Sequence, residues 1–347
     1  MNKFSFFFKR PKVVVITGAG RACAKEAVLQ VLKHYFKINK EILLLGSDKD
    51  SEFFLKKSRL PILLVTRAGQ YHPDKEFFAG SSADISRAEN LAKALPERGY
   101  LILNFDDEAV RDLKSNINSS SLTFGFASRA DLQATDVLLT HPPSMGTNFK
   151  MNYRGNTVPV WLERTFGKEQ IYSALAAAAL GKILDLNLVE VSEALKLYRS
   201  IPGKMQLIPG IKNSWILDDS AGASASFTIE ALDVLGKVTL EQVRKIAVLG
   251  DVLGIGKHTA ENRETVGEKV AKTADLLFVV GNRARFLAEG AVKKGMAEGK
   301  IFKFNTAREA GLALQKEIKA KDFILVDGSE EISMMEIVDE IKAGPIV

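Results

Sequence analysis

Val13-Val14-Val15-Ile16, a β-branched run, ends in Thr17-Gly18-Ala19-Gly20, and apolar residues then recur at helical spacing through Ala27, Val28, Val31, Leu32 and Tyr35. β-Branched side chains favour a pleated backbone, glycines accept the positive φ of a tight turn, and a 3.6-residue period marks a half-buried helix. The segment predicts strand, turn, helix, with the helix over 24–36. Short apolar runs at 41–45, 62–66 and 100–104, with a helical pattern over 85–95, continue the alternation. They predict an α/β domain whose parallel sheet is covered on both faces, of the kind that carries a phosphate loop after its first strand.

After Asp106-Asp107 the pattern changes: 122–125, 135–140 and 157–162 read as shorter strands forming an antiparallel edge or flap. Helical segments follow over 168–184, with its alanine run, and 188–198. Arg199-Ser200-Ile201-Pro202-Gly203-Lys204 breaks the helix and marks a domain boundary. Beyond it, strands at 214–218, 245–249, 276–280, 301–304 and 323–326 alternate with helices at 226–235, 261–273, 283–294, 307–318 and 334–342. This is a second, Rossmann-like unit. The expected organisation is a tail over 1–12, a central domain over 13–203 and a C-terminal domain over 204–347, in keeping with two domains for 347 residues.

Charge narrows the function classes. Lys and Arg number 48 against 42 Asp and Glu, and the excess is scattered, so nucleic acid is not an expected partner. Lys56-Lys57-Ser58-Arg59 reads as a solvated helix end or loop. A single cysteine, Cys23, excludes an intrachain disulfide and a cysteine-based zinc site. No apolar run reaches the length of a membrane span, so the cytoplasm is the expected compartment. Phe4 to Phe8 read as a docking surface for membrane or a neighbouring domain, or as a frayed terminus.

The glycine turn aims backbone N–H groups at the start of the next helix, where phosphate is favoured. A working G-x-x-x-x-G-K-[ST] loop also needs a lysine and a metal-binding hydroxyl, and here Arg21, Ala22 and Cys23 fill those places. The turn reads either as a weak phosphate seat or as a tight connection. Asn104-Phe105-Asp106-Asp107, ending a strand, offers carboxylates for a ribose or metal, or Asp107 as the cap of a helix at 108–113. Asp218-Asp219-Ser220 carries the same ambiguity. His34, His72, His141 and His258 show no metal-pair spacing, and His72 is retained because it follows a strand and the Gly69 turn.

Several ordered segments resemble the Mur ligase family, in particular the branch that adds D-alanyl-D-alanine to a UDP-N-acetylmuramoyl-tripeptide. Leu101 to Asp107 (L-I-L-N-F-D-D) is similar to V-L-N-A-D-D, and Ile171 to Ala178 (I-Y-S-A-L-A-A-A) to V-Y-N-A-L-A-A-A. Tyr198 to Met205 resembles F-R-P-V-P-G-R-M, Ile216 to Ser220 resembles L-I-D-D-S, and Ala247 to Gly256 resembles A-V-L-G-D-M-L-E-L-G. The resemblance implies an ATP- and Mg²⁺-dependent amide ligase working through an acyl phosphate on a UDP-muramyl peptide. By motif position it implies Gly18, Gly20 and Arg21 at the ATP phosphates, Asn104 and Asp107 at the adenine end, and Lys204 and Asp219 reaching the nucleotide from hinge and C-terminal domain. His72 matches the metal-linked histidine of V-T-N-I-G-P-A-H, with the metal ligands otherwise unassigned.

The departures fall on chemistry. The expected metal-binding glutamate is Leu45, and the lysine the family carbamylates falls near Ala88, with Lys93 close by. The Asn-rich loop after D-D-S reads Ala221-Gly222-Ala223-Ser224, Arg263 replaces a nucleotide-contacting histidine, and K-G-S-R becomes Asp327-Gly328-Ser329-Glu330. The family's N-terminal UDP-binding domain is expected to be absent, and the central domain shortened before Ile62. Three readings follow: a catalytically impaired homologue that still binds nucleotide or muramyl peptide, an active truncated ligase, and an interaction module meeting other wall-synthesis enzymes. The first is the expectation, because fold-supporting stretches persist while charged site residues are replaced.

Overall fold

The computed structural model describes residues 6, 10–47, 49–72, 77–80, 82–140, 144–222, 225–238, 243–251 and 259–344. The chain divides into two compact units: Met1–Leu138, Thr147–Glu163 and Lys168–Arg199 form the first; Leu139–Gly146, Arg164–Gly167 and Ser200–Val347 form the second.

The first unit runs β1 (Lys12–Thr17), α1 (Arg21–Leu32), β2 (Ile42–Leu45), α2 (Ser51–Lys57), β3 (Pro61–Val65), β4 (Gly69–His72), β5 (Phe77–Gly80), α3 (Ser82–Ala94), β6 (Tyr100–Asn104) and α4 (Glu108–Asp112). It continues with β7 (Ser120–Gly125), β8 (Leu132–Thr140), β9 (Gly146–Tyr153), β10 (Asn156–Glu163), α5 (Lys168–Ile183) and α6 (Leu188–Leu195). The main sheet has the order β10-β9-β8-β7-β6-β3-β1-β2. β1 lies between β2 and β3, parallel to both, so its side chains meet protein on both faces. Val14 and Ile16 join a core with α1 and α5, whereas Val13 and Val15 join a second core with α2, α3 and α4. Period-2 alternation of one strand thereby feeds two apolar layers.

Helix α5 is buried almost all round, with Ala174, Ala176, Ala178 and Ala179 at 0% exposure. Its small side chains let neighbouring backbones approach closely, which explains a helix without a polar stripe. α1 stops at Leu32 rather than Phe36, because Tyr35 and Phe36 N–H both turn back to the Leu32 carbonyl. The 122–125 strand is parallel to β6, with the short helical stretch after Asn104 serving as its crossover, and is not part of an antiparallel flap. β9 and the β4–β5 hairpin carry no strong apolar period and were not foreseen. β9 and β10 join through Arg154-Gly155 at φ 48° and 81°, the backbone a two-residue hairpin requires.

The second unit holds β11 (Gln206–Pro209), β12 (Trp215–Asp219), α7 (Ala225–Lys237), β13 (Lys245–Gly250), α8 (Thr259–Thr273), β14 (Leu276–Val280), α9 (Arg285–Lys293), β15 (Ile301–Phe304), α10 (Ala307–Glu317), β16 (Phe323–Asp327) and α11 (Met335–Ile341). Its sheet order is β11-β12-β16-β13-β14-β15, with β11 antiparallel at one edge and the other pairings parallel. Leu217, Ala247, Leu249 and Leu325 face one core; Ile216, Ile246, Val248 and Val326 face the other. Among the described residues no helix is long and apolar enough to cross a membrane.

At Phe6 the docking-surface reading is corrected: the ring is 0% exposed and packs edge-on against Phe54, with ring centroids 4.9 Å apart, and beside Phe53 at 6.4 Å. Phe4, Phe7 and Phe8 lie outside the described residues. Phe6→Ala is expected to lower stability by about 3 kcal/mol, as for other buried aromatic truncations, measured by urea denaturation.

Candidate functional site

The turn after β1 is built on two glycines with positive φ. Gly18 has φ +100°, and Gly20, the N-cap of α1, has φ +77° with no side-chain cap. A Cβ on Gly18 would strike the Arg67 carbonyl and the Thr66 hydroxyl, so glycine is the residue that fits. The turn is tied to the end of β3: Ala19 N–H donates to the Arg67 carbonyl at 2.8 Å, and the Thr66 hydroxyl donates to the Thr17 carbonyl at 3.0 Å. Arg21 is exposed, and its guanidinium donates to the Gly18 carbonyl at 3.4 Å. Cys23 is buried, with Gln170 Nε2 directed at its Sγ at 3.6 Å. Tyr198 donates its hydroxyl to Gln170 Oε1 at 2.6 Å, and burial pushes that phenol well above its ordinary range.

Two residues that sequence reasoning missed complete the turn. Arg67, with its side chain 4% exposed, places Nη2 2.6 Å from Glu169 Oε2. Glu169 belongs to the first turn of α5, and its Oε1 lies 3.1 Å from where a Cβ on Gly20 would stand. No local pattern signals the pair, since 102 residues separate its members.

Asn104 and Asp107 end up together at the carboxyl end of β6, with different fates. Asp107 caps α4, accepting from Val110 N–H at 3.2 Å and from Ala68 N–H at 2.7 Å. Burial raises its carboxyl above the usual range, against the opposing pull of those amides and of Arg67. Asp106 accepts from Phe126 N–H, Ala127 N–H and the Tyr172 hydroxyl at 2.6, 2.9 and 2.9 Å. Both carboxylates are thus held by the fold itself. Asn104 is fully buried; its Oδ1 accepts from Asp106 N–H at 3.0 Å, and its Nδ2 has no partner.

His72 ends β4 opposite Phe77, and its side chain lies outside what is described; His141 and His258 lie outside the described residues altogether. Leu45 ends β2, and Ala88 is buried in the apolar core. Among the described residues no three metal-ligating side chains gather. At this turn a carboxylate stands beside the helix start, Arg21 takes the lysine position and Ala22 the hydroxyl position, and the buried thiol of Cys23 follows.

In the second unit Asp219 and Asp327 end neighbouring parallel strands in register, both buried. A Cβ on Gly222 would lie 2.6 Å from Asp327 Oδ1 and 2.8 Å from Asp219 Oδ2, so both carboxyls converge on that glycine. Asp218 is spent on Gly203 N–H at 2.9 Å and Ser220 N–H at 3.1 Å, and Lys204 donates its ammonium to the Ala221 carbonyl. Asp327 Oδ2, Ser220 Oγ and Ser329 Oγ are buried without partners.

Desolvation pushes Asp327 up to about 6, opposed by hydrogen bonds from Thr228 and Asp219, the Lys204 charge and the Gly328 N–H. Its folded value thus lies above the unfolded value of about 4, so the stability its proton contributes is present in full below that pH and lost as pH rises through about 6. Asp327→Asn is expected to remove this loss, gaining about 1–3 kcal/mol on the wild type between pH 4 and pH 7.5 in urea denaturation.

Residues 45–181 match the Mur ligase middle domain, and residues 203–330 match the Mur ligase, glutamate ligase domain. The UDP-N-acetylmuramoyl-tripeptide–D-alanyl-D-alanine ligase of Escherichia coli (strain K12) is 29% identical over 269 residues, covering 76% of this chain and 56% of the relative. The chain therefore spans little more than half the length of that relative. MurF from Acinetobacter baumannii superposes with a TM-score of 0.77 at 20% identity, over 95% of this chain and 76% of the other. MurF ligase from Thermotoga maritima in complex with ADP gives 0.73 at 18%, over 97% and 81%. Two matched domains in family order, on a sheet architecture the solved structures share, place this chain in the Mur ligase family.

Proposed function

We propose that this chain is a catalytically impaired Mur ligase homologue related to peptidoglycan precursor synthesis, retaining a nucleotide-binding, muramyl-peptide-binding or regulatory role. The observation that carries this reading is the division of labour within the turn after β1. Its backbone is intact, with Gly18 and Gly20 at φ +100° and +77°, while the side chains phosphoryl transfer needs are replaced. Phosphoryl transfer depends almost wholly on positioned charge and metal, whereas binding an anion draws on backbone amides and a helix start.

Gly18, Gly20 and Arg21 would meet the phosphates, and the unpartnered Nδ2 of Asn104, at the end of a strand in the same sheet, is a donor suited to a base. Asp107 supports that end by fixing the backbone. In the second unit, Lys204 and Asp219 would reach the nucleotide, beside Asp327, which stands where the resemblance has lysine. His72 would be metal-linked, and ATP with Mg²⁺ turned over, in the alternative reading of an active truncated ligase. The reading divides the chain into a tail over 1–12 and domains over 13–203 and 204–347.

Purified protein given ATP, UDP-muramyl tripeptide, D-alanyl-D-alanine and Mg²⁺ is expected to release no phosphate above background. ADP or the UDP-muramyl peptide is expected to raise the melting temperature, with the nucleotide shift reduced in Arg21→Ala. Turnover would overturn the impairment, and the absence of any ligand-induced shift would overturn the binding role in favour of a pure interaction module.

A further inference from the structure

The seat after β1 contains a carboxylate supplied by the chain itself. Glu169 lies in the first turn of α5, where the helix favours negative charge, and its side chain reaches the start of α1 at Gly20, a cap with no side chain of its own. Arg67, buried at the end of β3, closes a 2.6 Å charge-assisted contact on the other oxygen. A helix start, a left-handed glycine and a buried guanidinium are the elements that recognise a phosphate oxygen; here Arg67 donates to Glu169, and the glycine at the start of α1 lies beside that carboxylate. A phosphate approaching the same turn meets a like charge already paired with Arg67.

We infer that Glu169 is an intramolecular occupant of the phosphate seat, and that a phosphate-bearing ligand enters only by displacing it, with Arg67 passing from the carboxylate to the incoming anion. The inference rests on reading the turn as an anion seat, and it adds a closed state to that seat. Opening breaks the Arg67–Glu169 contact and leaves the carboxylate, 19% exposed in the closed state, to solvent. A purely structural ion pair would instead tie β3 to α5 and leave phosphate affinity indifferent to its charge.

The test uses the full chain as wild type, Glu169→Gln and Glu169→Ala, titrated calorimetrically with ADP, pyrophosphate and adenosine. Both variants are expected to bind ADP and pyrophosphate at least tenfold more tightly than wild type, with adenosine unchanged and the gain shrinking as salt rises. ADP and pyrophosphate affinities within twofold of wild type, no binding by any form, or an equal gain for adenosine would each overturn the inference. Where the variants fail to fold, a wild-type structure at high pyrophosphate decides. The inference expects the anion at Gly20 with the Arg67–Glu169 contact broken, and an intact contact beside bound pyrophosphate, or an empty turn, refutes it. Variants that bind where wild type does not would defeat the proposed nucleotide-binding role yet support the occupant. Wild type binding as tightly as the variants would do the reverse.

Discussion

Gly18 has no room for a side chain because the Arg67 carbonyl and the Thr66 hydroxyl lie against it, and much of the first unit follows from that approach. It fixes where the chain leaves β1 and the angle at which α1 starts. It also holds the backbone of residues 66 and 67 against the turn, so that Arg67 extends inward with its side chain nearly covered. A guanidinium in that position requires an anion, since a buried charge without a partner is strongly destabilising. Glu169 supplies one, and α5 is thereby tied by charge to the segment after β3, while its alanine surface packs in one core with α1.

The strands were the most legible part of the sequence. A β-branched or leucine-rich run such as 13–16 or 276–280, buried on both sides, admits few alternatives when helical periods separate successive runs. Elements without that contrast were harder to read. β9 buries Phe149 and Met151 but fills the intervening positions with Asn and Lys, and β11 is a four-residue edge containing a proline. Phe6 reads as a surface feature in the sequence because a sequence window does not show Phe53 and Phe54 as its partners.

At the candidate site, groups acting through local geometry were legible and those acting across the chain were not. Asp107 as a helix cap follows from three residues of spacing, and the structure places its carboxylate on Val110 N–H. The Arg67–Glu169 contact depends on two distant segments meeting, so no motif announces it. Asp219 and Asp327 fall between these cases: each was visible as an acid at a strand end, but their convergence on Gly222 is a property of the parallel register. Carboxylates stand at the candidate site of both units, and in the second Asp327 takes the place of a lysine in the family resemblance. In the first Glu169 is satisfied by arginine, and in the second desolvation pushes the Asp327 carboxyl up to about 6.

The placement of Cys23 has a practical corollary. The sole thiol of the chain lies 1% exposed with Gln170 directed at its sulfur, in the layer where α1 meets α5. A maleimide or an oxidant reaches a thiolate only when these helices part, so the native fold shields this sulfur from alkylation and cross-linking. The chain therefore carries its own reporter group: the rate at which Cys23 becomes modified measures the breathing of the helix pair that flanks the glycine turn.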